Sequence, residues 1–378
     1  MAEPNKEERA HNVCALGSLK SEMLIVNGRS RMHREVHVRI CESLGVKLPR
    51  ATRLGGRGLV TPSYPIEKGD YTMKVLNIGS MNLDYVYQVD HMVCPGETEA
   101  TGERHVFLGG KGMNQSCALA KAGLEVYHAG LIGPEGGAFL EACHEYGVHV
   151  DFIKTVDAPT GHTIIQLDKN AQNSILLFGG ANRMLTEQYV DEVLSCFNKG
   201  DVLLLQNEVN LLPYIVNKAY EKGMQIALNP SPYNEDLEAV DLNKISIFLL
   251  NEVEGGQVTG KTDPEGVLAA LRARFPKARI MLTLGMDGSI YADEDQMIRQ
   301  PVFPVKAVDT TAAGDTFTGY FLAGLIEGMP IPEILQMSAK ASAIAVSRAG
   351  AVPSIPWRSE VAAQLGESRC IDGEEKDK

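Results

Sequence analysis

An α/β fold on a mostly parallel sheet is what this 378-residue sequence predicts, and three features carry the prediction. Short apolar runs alternate with stretches of helical periodicity, most clearly in the second half, which is the pattern of a parallel sheet covered by helices. The first such run, Val75-Leu76-Asn77-Ile78-Gly79, ends in Ser80-Met81-Asn82-Leu83-Asp84, and polar groups beyond the carboxyl end of a buried strand are where open α/β sheets take ligands. Near the other end, Ala312-Ala313-Gly314 turns into a segment with Phe317, Phe321, Leu322 and Leu325 on one face, a loop feeding a buried helix.

A chain of this length can bury one core, or one core and a small accessory unit. With 44% hydrophobic and 22% charged residues the composition is that of a globular protein, and a net charge of −12 argues against nucleic acid as a partner. No apolar run of about 18 residues exists, so no membrane-spanning helix is expected. Seven scattered cysteines without a CxxC pair fit a reduced, cytosolic protein lacking structural zinc. Residues 1–72 hold twelve Lys/Arg against eight Asp/Glu, a net of +4 that leaves −16 on the remainder. This asymmetry sets residues 1–72 apart as an extension, disordered or not native, with a weak helix at Met32–Leu48 and Met73 as the expected natural start; residues 73–378 form the main domain.

Within that domain Asn82 and Asp84 offer an amide and a carboxylate on one side of an extended segment, suited to vicinal hydroxyls or to an Asx turn. Tyr85–Val89 and Glu99–Leu108 read as strands around Pro95-Gly96-Glu97-Thr98. Gly109-Gly110-Lys111-Gly112-Met113-Asn114-Gln115 then opens a helix; it is not a GxxxxGK[ST] loop, but its glycines permit close backbone approach to a ligand. A strand at Tyr127–Ile132 and a helix near Ala138–Glu145 follow, and Pro159-Thr160-Gly161 introduces strands at Thr163–Leu167 and Ser174–Phe178. Further strands at Asp201–Leu205, Gln225–Leu228, Ile245–Leu250 and Arg279–Leu284 alternate with helices. The turn Thr283-Leu284-Gly285-Met286-Asp287-Gly288 can lie under a nucleotide's phosphates and ribose, and Pro332–Arg348 is rich enough in Ala and Ser to pack closely or face an adenine. The charged tail Glu367–Lys378 is expected to fray.

Free N–H groups at Ala312, Ala313 and Gly314 would point at whatever sits over the helix start, where the macrodipole favours an anion such as phosphate. Asp315 in the same place is electrostatically odd unless it has a second task, and taking a proton from a hydroxyl beside a phosphate is such a task. An ordinary first-turn acid is the competing explanation.

Asp309-Thr310-Thr311-Ala312-Ala313-Gly314-Asp315 resembles the DTxGAGD signature of the ribokinase family of carbohydrate kinases, with Ala312 where Gly is frequent. Ser80-x-Asn82-x-Asp84 and Gly109-Gly110-Lys111-Gly112-Met113-Asn114-Gln115 are similar to its N-terminal signatures, Asn251-x-x-Glu254 to its NxxE motif, and Gly350–Trp357 to its ending. Pro134 and Glu135 depart from the family's GDDxxG loop. The resemblance, which spans about residues 74–357, implies a three-layer fold with a small β-sheet lid from about 84–108 and 160–180, whose spare edges would favour a homodimer. It implies ATP-dependent phosphorylation of a sugar, ribose above all, with Asp315 as base and the amides of Ala312, Ala313 and Gly314 as anion hole. Sugar contacts would come from Asn82, Asp84, Gly110, Lys111, Gly112, Asn114, Glu208 and Asp315, and nucleotide contacts from Asn251, Gly314, Asp315 and the Thr283–Gly288 turn (Thr283, Leu284, Gly285, Met286, Asp287, Gly288). Asn251 and Glu254 would be outer-shell Mg²⁺ ligands, since a hard cation keeps several waters and needs few carboxylates. Asp309, Thr311, Ala345, Arg348, Gly350 and Ser354 would hold a monovalent cation such as K⁺, mainly through backbone oxygens. Kinases of deoxyribose, nucleosides or keto-sugar acids, and a catalytically idle sugar-binding protein of the same fold, are the alternatives.

Overall fold

The computed structural model describes residues 73–169 and 172–374; the expected extension, with its helix at Met32–Leu48, lies outside the described residues. Thirteen strands are described: β1 Val75–Ile78, β2 Asn82–Val89, β3 Arg104–Gly109, β4 Val126–Ile132, β5 Val148–Thr155, β6 Gly161–Asp168, β7 Asn173–Phe178, β8 Val202–Gln206, β9 Gln225–Asn229, β10 Ile247–Asn251, β11 Arg279–Thr283, β12 Ser289–Ala292 and β13 Met297–Gln300. The described helices are α1 Lys111–Lys121, α2 Gly137–Tyr146, α3 Glu187–Ser195, α4 Leu212–Lys222, α5 Glu252–Thr259, α6 Pro264–Arg274, α7 Ala313–Ile326, α8 Ile331–Val346 and α9 Arg358–Glu374.

Nine strands form the main sheet in the order β13-β12-β11-β10-β9-β8-β1-β4-β5, parallel from β11 to β5 and antiparallel at β12 and β13. Its central strands are buried on both faces, which is why β8 reads as the uninterrupted run Val202-Leu203-Leu204-Leu205 rather than an alternation. Successive residues serve opposite layers. Leu76, Leu203, Leu205, Ile226 and Leu228 pack with Val190, Val193 and Leu194 of α3 and Ile215 and Val216 of α4. Val75, Val202, Leu204, Ala227 and Leu249 pack instead with Leu119 of α1, Phe317 and Phe321 of α7, and Ile334 and Leu335 of α8. This is the expected three-layer α/β architecture.

The second sheet, β3-β2-β6-β7, is the expected small one. Its two middle strands run parallel and its outer pairs antiparallel. β2 begins at Asn82, so Asn82 and Asp84 sit within the first turn of pleat of that strand rather than in an Asx turn, and they share a face because their side chains are two residues apart. Of the stretch expected as strand at Glu99–Leu108, only Arg104 onward pairs with β2.

Three strands escaped the sequence reading. β5 lies at the sheet edge with alternating burial, and β12 and β13 are four-residue strands that exist through antiparallel pairing, β12 with β11 and β13 with β12. The backbone is helical to Glu374, so most of the stretch expected to fray is the last turns of α9.

Candidate active site

Two helix starts meet beside the sheet, and they bring the site together. Gly319 of α7 packs on α1 so closely that a Cβ there would lie 2.8 Å from backbone atoms of Ala118 and Leu119. The first turns of α1 and α7 therefore stand side by side, and residues 200 positions apart in the chain touch. Asn114 Nδ2 donates to Asp315 Oδ2 at 2.9 Å, and Gln115 Nε2 donates to Asp315 Oδ1 at 2.9 Å. Asp315 is 6% exposed, so two amide donors hold a nearly buried carboxylate, one on each oxygen.

The helix mouth is partly as expected. Asp315 is the third residue of α7, which starts at Ala313. The N–H of Ala313 is taken by the Thr310 carbonyl at 3.2 Å, because the turn before the helix closes on itself, and this corrects its assignment as a free donor. No hydrogen bond engages the N–H of Ala312, Gly314 or Asp315 among the described residues, leaving these as the donors for an anion.

Asp84 is buried over the glycine loop: a Cβ on Gly109 would lie 2.9 Å from its carboxyl carbon. Thr163 Oγ1 donates to Asp84 Oδ1 at 2.6 Å. Burial, less what that hydrogen bond returns, and then repulsion from Glu208 and Asp315 push the Asp84 carboxyl up to about 6. Asn82 Oδ1 accepts from Asn182 Nδ2 at 2.7 Å, and Asn182 Oδ1 accepts from the Met81 N–H at 3.0 Å. Glu208 accepts from the Ser80 hydroxyl and, at 3.3 Å, from the Lys111 N–H, while Gly112 N–H donates to Ser80 Oγ at 3.2 Å. Burial raises the Glu208 carboxyl despite the opposing charge of Lys111. Burial disfavours the Lys111 ammonium, but Asp315, Glu208 and Glu254 together outweigh it and hold the group above its ordinary value. Gly110 has φ 90°, and a Cβ there would be 2.9 Å from the Asn82 N, so only glycine fits the crossing of loop and strand.

A cavity of about 200 Å³ opens on Asp315, Gly314, Thr311, Lys111, Asn251 and Glu254. A second cavity of about 360 Å³, mostly apolar, runs between the β12–β13 end of the sheet and α8; Thr283, Gly314 and Phe317 line both. Ala313, Gly285, Met286 and Gly288 line the second, whereas Leu284 is buried and Asp287 is on the solvent side of its turn, and neither lines either of these two cavities. The geometry is a polar chamber with a carboxylate and an ammonium, joined past an N–H-rich helix mouth to an apolar slot of the size of a nucleoside.

Residues 72–358 match the profile of the pfkB family carbohydrate kinases. The chain belongs to the pfkB family. It is a carbohydrate kinase. The ribokinase of Haemophilus influenzae is 34% identical over 292 residues, 75% of this chain and 95% of the relative. Among solved structures, the ribokinase of Cryptococcus neoformans in complex with ADP is 30% identical with a TM-score of 0.70, covering 78% of this chain and 99% of that one. The Arabidopsis thaliana ribokinase complexed with ribose and ATP is 28% identical with a TM-score of 0.69, again over 78% and 99%. No described helix of this kinase is long and apolar enough to cross a membrane.

In this pfkB kinase the candidate metal positions divide into two groups. Asn251 and Glu254 form a reciprocal capping box at the start of α5: Asn251 Oδ1 accepts from Glu254 N–H at 2.8 Å, and Glu254 Oε2 accepts from Asn251 N–H at 3.0 Å. One Glu254 oxygen, on a residue lining the smaller cavity, has no hydrogen-bond partner among the described residues. One spare carboxylate oxygen suits a Mg²⁺ that retains its waters and arrives with phosphates, and among the described residues no group of three or more His, Cys, Asp or Glu is arranged to hold a metal ion by itself. Around Asp309 the chain closes a loop: Oδ1 accepts from Thr311 N–H at 2.9 Å and Thr311 Oγ1 at 2.5 Å, and Oδ2 from Gly350 N–H at 3.0 Å. The Ala345 carbonyl accepts from Arg348 N–H at 3.0 Å, the Arg348 guanidinium pairs with Glu360, and Ser354 Oγ donates to the Ala351 carbonyl at 2.7 Å. Asp309, Ala345, Arg348, Gly350 and Ser354 do not line either cavity; Thr311 does.

Sequence reasoning missed Asn182, Thr163, Gln115 and Gln206 as members of the site. Gln206 carried a readable signal, a polar residue at the carboxyl end of a buried strand. Asn182 and Thr163 carried none, because nothing local tells that they reach β2.

Proposed function

We propose that this kinase transfers the terminal phosphoryl group of ATP to the 5-hydroxyl of D-ribose, giving ribose 5-phosphate and ADP. The observation that supports this best is Asp315, a carboxylate held on both oxygens by amides, which lines the smaller cavity together with Lys111 and with Gly314, a residue that also lines the apolar slot; Asn82 and Asp84 line neither cavity. The ribokinases that resemble this chain, one solved with ribose and ATP, support the same substrates. A buried amide and a buried carboxylate on one face of β2 call for two hydroxyls, and a ligand lacking one would leave a polar group unpaired.

In this reading Asp84 and Asn82 bind vicinal hydroxyls of the sugar, and Lys111, Asn114 and Glu208 close the chamber around it. Asp315 takes the proton of the primary hydroxyl as its oxygen attacks the γ-phosphorus in line. The free N–H groups of Ala312, Gly314 and Asp315 and the Lys111 ammonium face the negative charge on the transferring group. The adenosine part occupies the apolar slot by Met286, Gly288 and Phe303. Mg²⁺, when bound at Glu254 and Asn251, would neutralise phosphate charge, and a monovalent cation would be held by Asp309 with backbone oxygens of Thr311, Ala345, Arg348 and Gly350 and by Ser354. On the small sheet, Ile175, Leu176, Leu177 and Phe178 of edge strand β7 are all exposed, which supports a homodimer joined through the lids; sedimentation of a Leu176→Asp variant as a dimer would contradict that. A cytosolic location is proposed on the free cysteines Cys94, Cys117, Cys143 and Cys196, to be checked by cell fractionation.

The test is Asp315→Asn. Turnover should fall by about 10²–10⁴-fold, the scale of a general base, with ATP still bound in calorimetry. Full activity in a coupled ADP-release assay would remove Asp315 from its role. The same assay across ribose, deoxyribose, nucleosides and keto-sugar acids, with and without K⁺, fixes the substrate and the cation dependence.

A further inference from the structure

We propose that Asn77, Gln206 and Gln115 form a polarity relay that holds Asp315 in the orientation of a proton acceptor. The inference rests on Asp315 being the base, and it concerns residues that line neither of the two cavities.

The relay can be followed atom by atom. The Gly112 carbonyl can only accept, so the Asn77 amide turns its Nδ2 toward it, at 2.8 Å. Asn77 Nδ2 also lies 2.9 Å from Ser116 Oγ. That leaves Asn77 Oδ1 pointing the other way, where it accepts from Gln206 Nε2 at 3.2 Å. Gln206 Nε2 donates also to Gln115 Oε1, at 2.6 Å. With its oxygen thus engaged, Gln115 has only its Nε2 to present to Asp315 Oδ1, at 2.9 Å. A backbone carbonyl in the glycine loop therefore sets the direction of three side-chain amides in series, and the last of them faces the base as a donor. A reversed Gln115 would set two acceptors, its Oε1 and Asp315 Oδ1, against each other. The carboxyl would then have to move or keep its proton, and in either case it would cease to be a base.

Packing alone does not account for these amides. Asn77, Gln115 and Gln206 are all fully buried, and Gln206 Oε1 has no hydrogen-bond partner among the described residues. A core of apolar side chains would avoid that cost. The chain also makes room for them: a Cβ on Gly79 would sit 3.1 Å from Asn77 Oδ1 and collide with Gln206 Oε1. The charged groups acting on Asp315 come from other elements, Lys111 at the start of α1, Glu208 after β8 and Asp84 on β2, and none of them belongs to the relay.

Two variants of the full chain test it. Gln115→Glu keeps the size of the side chain and can still accept from Gln206, but meets Asp315 with an oxygen. Gln206→Leu keeps the volume and cuts the relay one step earlier. For both, kcat and the KM of ribose and ATP are measured from acid to neutral pH. The expected result is a loss of about 10–100-fold in kcat, within the range of a mis-set general base, with both KM values within about threefold of the parent. The acid limb of kcat should also move up by about one pH unit in Gln115→Glu and less in Gln206→Leu. An acid limb that stays in place in both variants, whatever happens to kcat, overturns the relay and leaves these residues as packing. Asp315→Asn separates the failures: if it is inactive while the relay variants keep the parental pH profile, the base stands and the relay falls. If Asp315→Asn is active, the base reading itself falls.

Discussion

Replacing Asp84 by Asn should make the protein more stable at neutral pH while impairing it as an enzyme, and the size of the gain follows from the structure. Asp84 is 7% exposed, and burial is the largest cause of the rise of its carboxyl from 3.8 to about 6. A folded-state value above the unfolded one means that stability is fully present below the unfolded value and is lost as pH rises through the folded one. The window is therefore about pH 4 to 6. A difference of about 2 units, at about 1.4 kcal/mol each, puts the cost of ionising Asp84 in the folded chain near ~3 kcal/mol at pH 7 and above. Asparagine has nearly the same shape, still accepts from Thr163 Oγ1, and carries no charge to desolvate. Urea unfolding of parent and Asp84→Asn at pH 5 and pH 8 reads the effect directly: because pH 5 lies midway through the window, the advantage of the variant should be larger at pH 8 by about 1.5 kcal/mol, half of the whole. An advantage that is the same at both pH values, or a variant less stable at pH 8, would refute the reasoning. The cost would be offset on binding if the ionised carboxylate receives a sugar hydroxyl, so the KM for ribose should rise in the parent as pH falls below about 6.

Two further outcomes follow from backbone geometry. Gly319→Ala forces a Cβ into the Ala118 backbone of α1, and the strain of overpacking, about 1–3 kcal/mol, exceeds the usual helix-propensity gain of about 1. Thermal unfolding should show the net loss, and kcat should drop because the helices carrying Asn114, Gln115 and Asp315 are pushed apart; a variant with parental stability and kcat would contradict that packing. Leu211 precedes α4 with φ 61°, so Leu211→Gly should raise stability by up to about 1 kcal/mol, against the entropy that glycine loses. A clear loss in chemical unfolding would show that the Leu211 side chain, packed on the core, outweighs the strain.

Much of this was legible in the sequence, for local reasons. Short-range patterns record strand and helix periodicity, tight glycine turns and capping residues, and these placed β1, α1, β8 and α7, the glycine loop, and Asp315 at its helix mouth. The residues that line the cavities, Lys111, Asn251, Glu254, Thr283 and Gly314, were readable because each stands at a strand end or helix start, where α/β sheets bind ligands. Tertiary structure alone decided the rest. β12 and β13 are too short to announce themselves and exist through pairing, the Ala313 N–H is spent within its own turn, and Asn251 and Glu254 first cap each other before they can serve a metal. That Gln115 meets Asp315, that Gln206 steers Gln115, and that Asn182 reaches Asn82 depend on contacts between residues 91 to 200 apart. An isolated amide has no period and no neighbour to betray its partner, and only close packing of the helices on the sheet brings such groups within hydrogen-bonding distance.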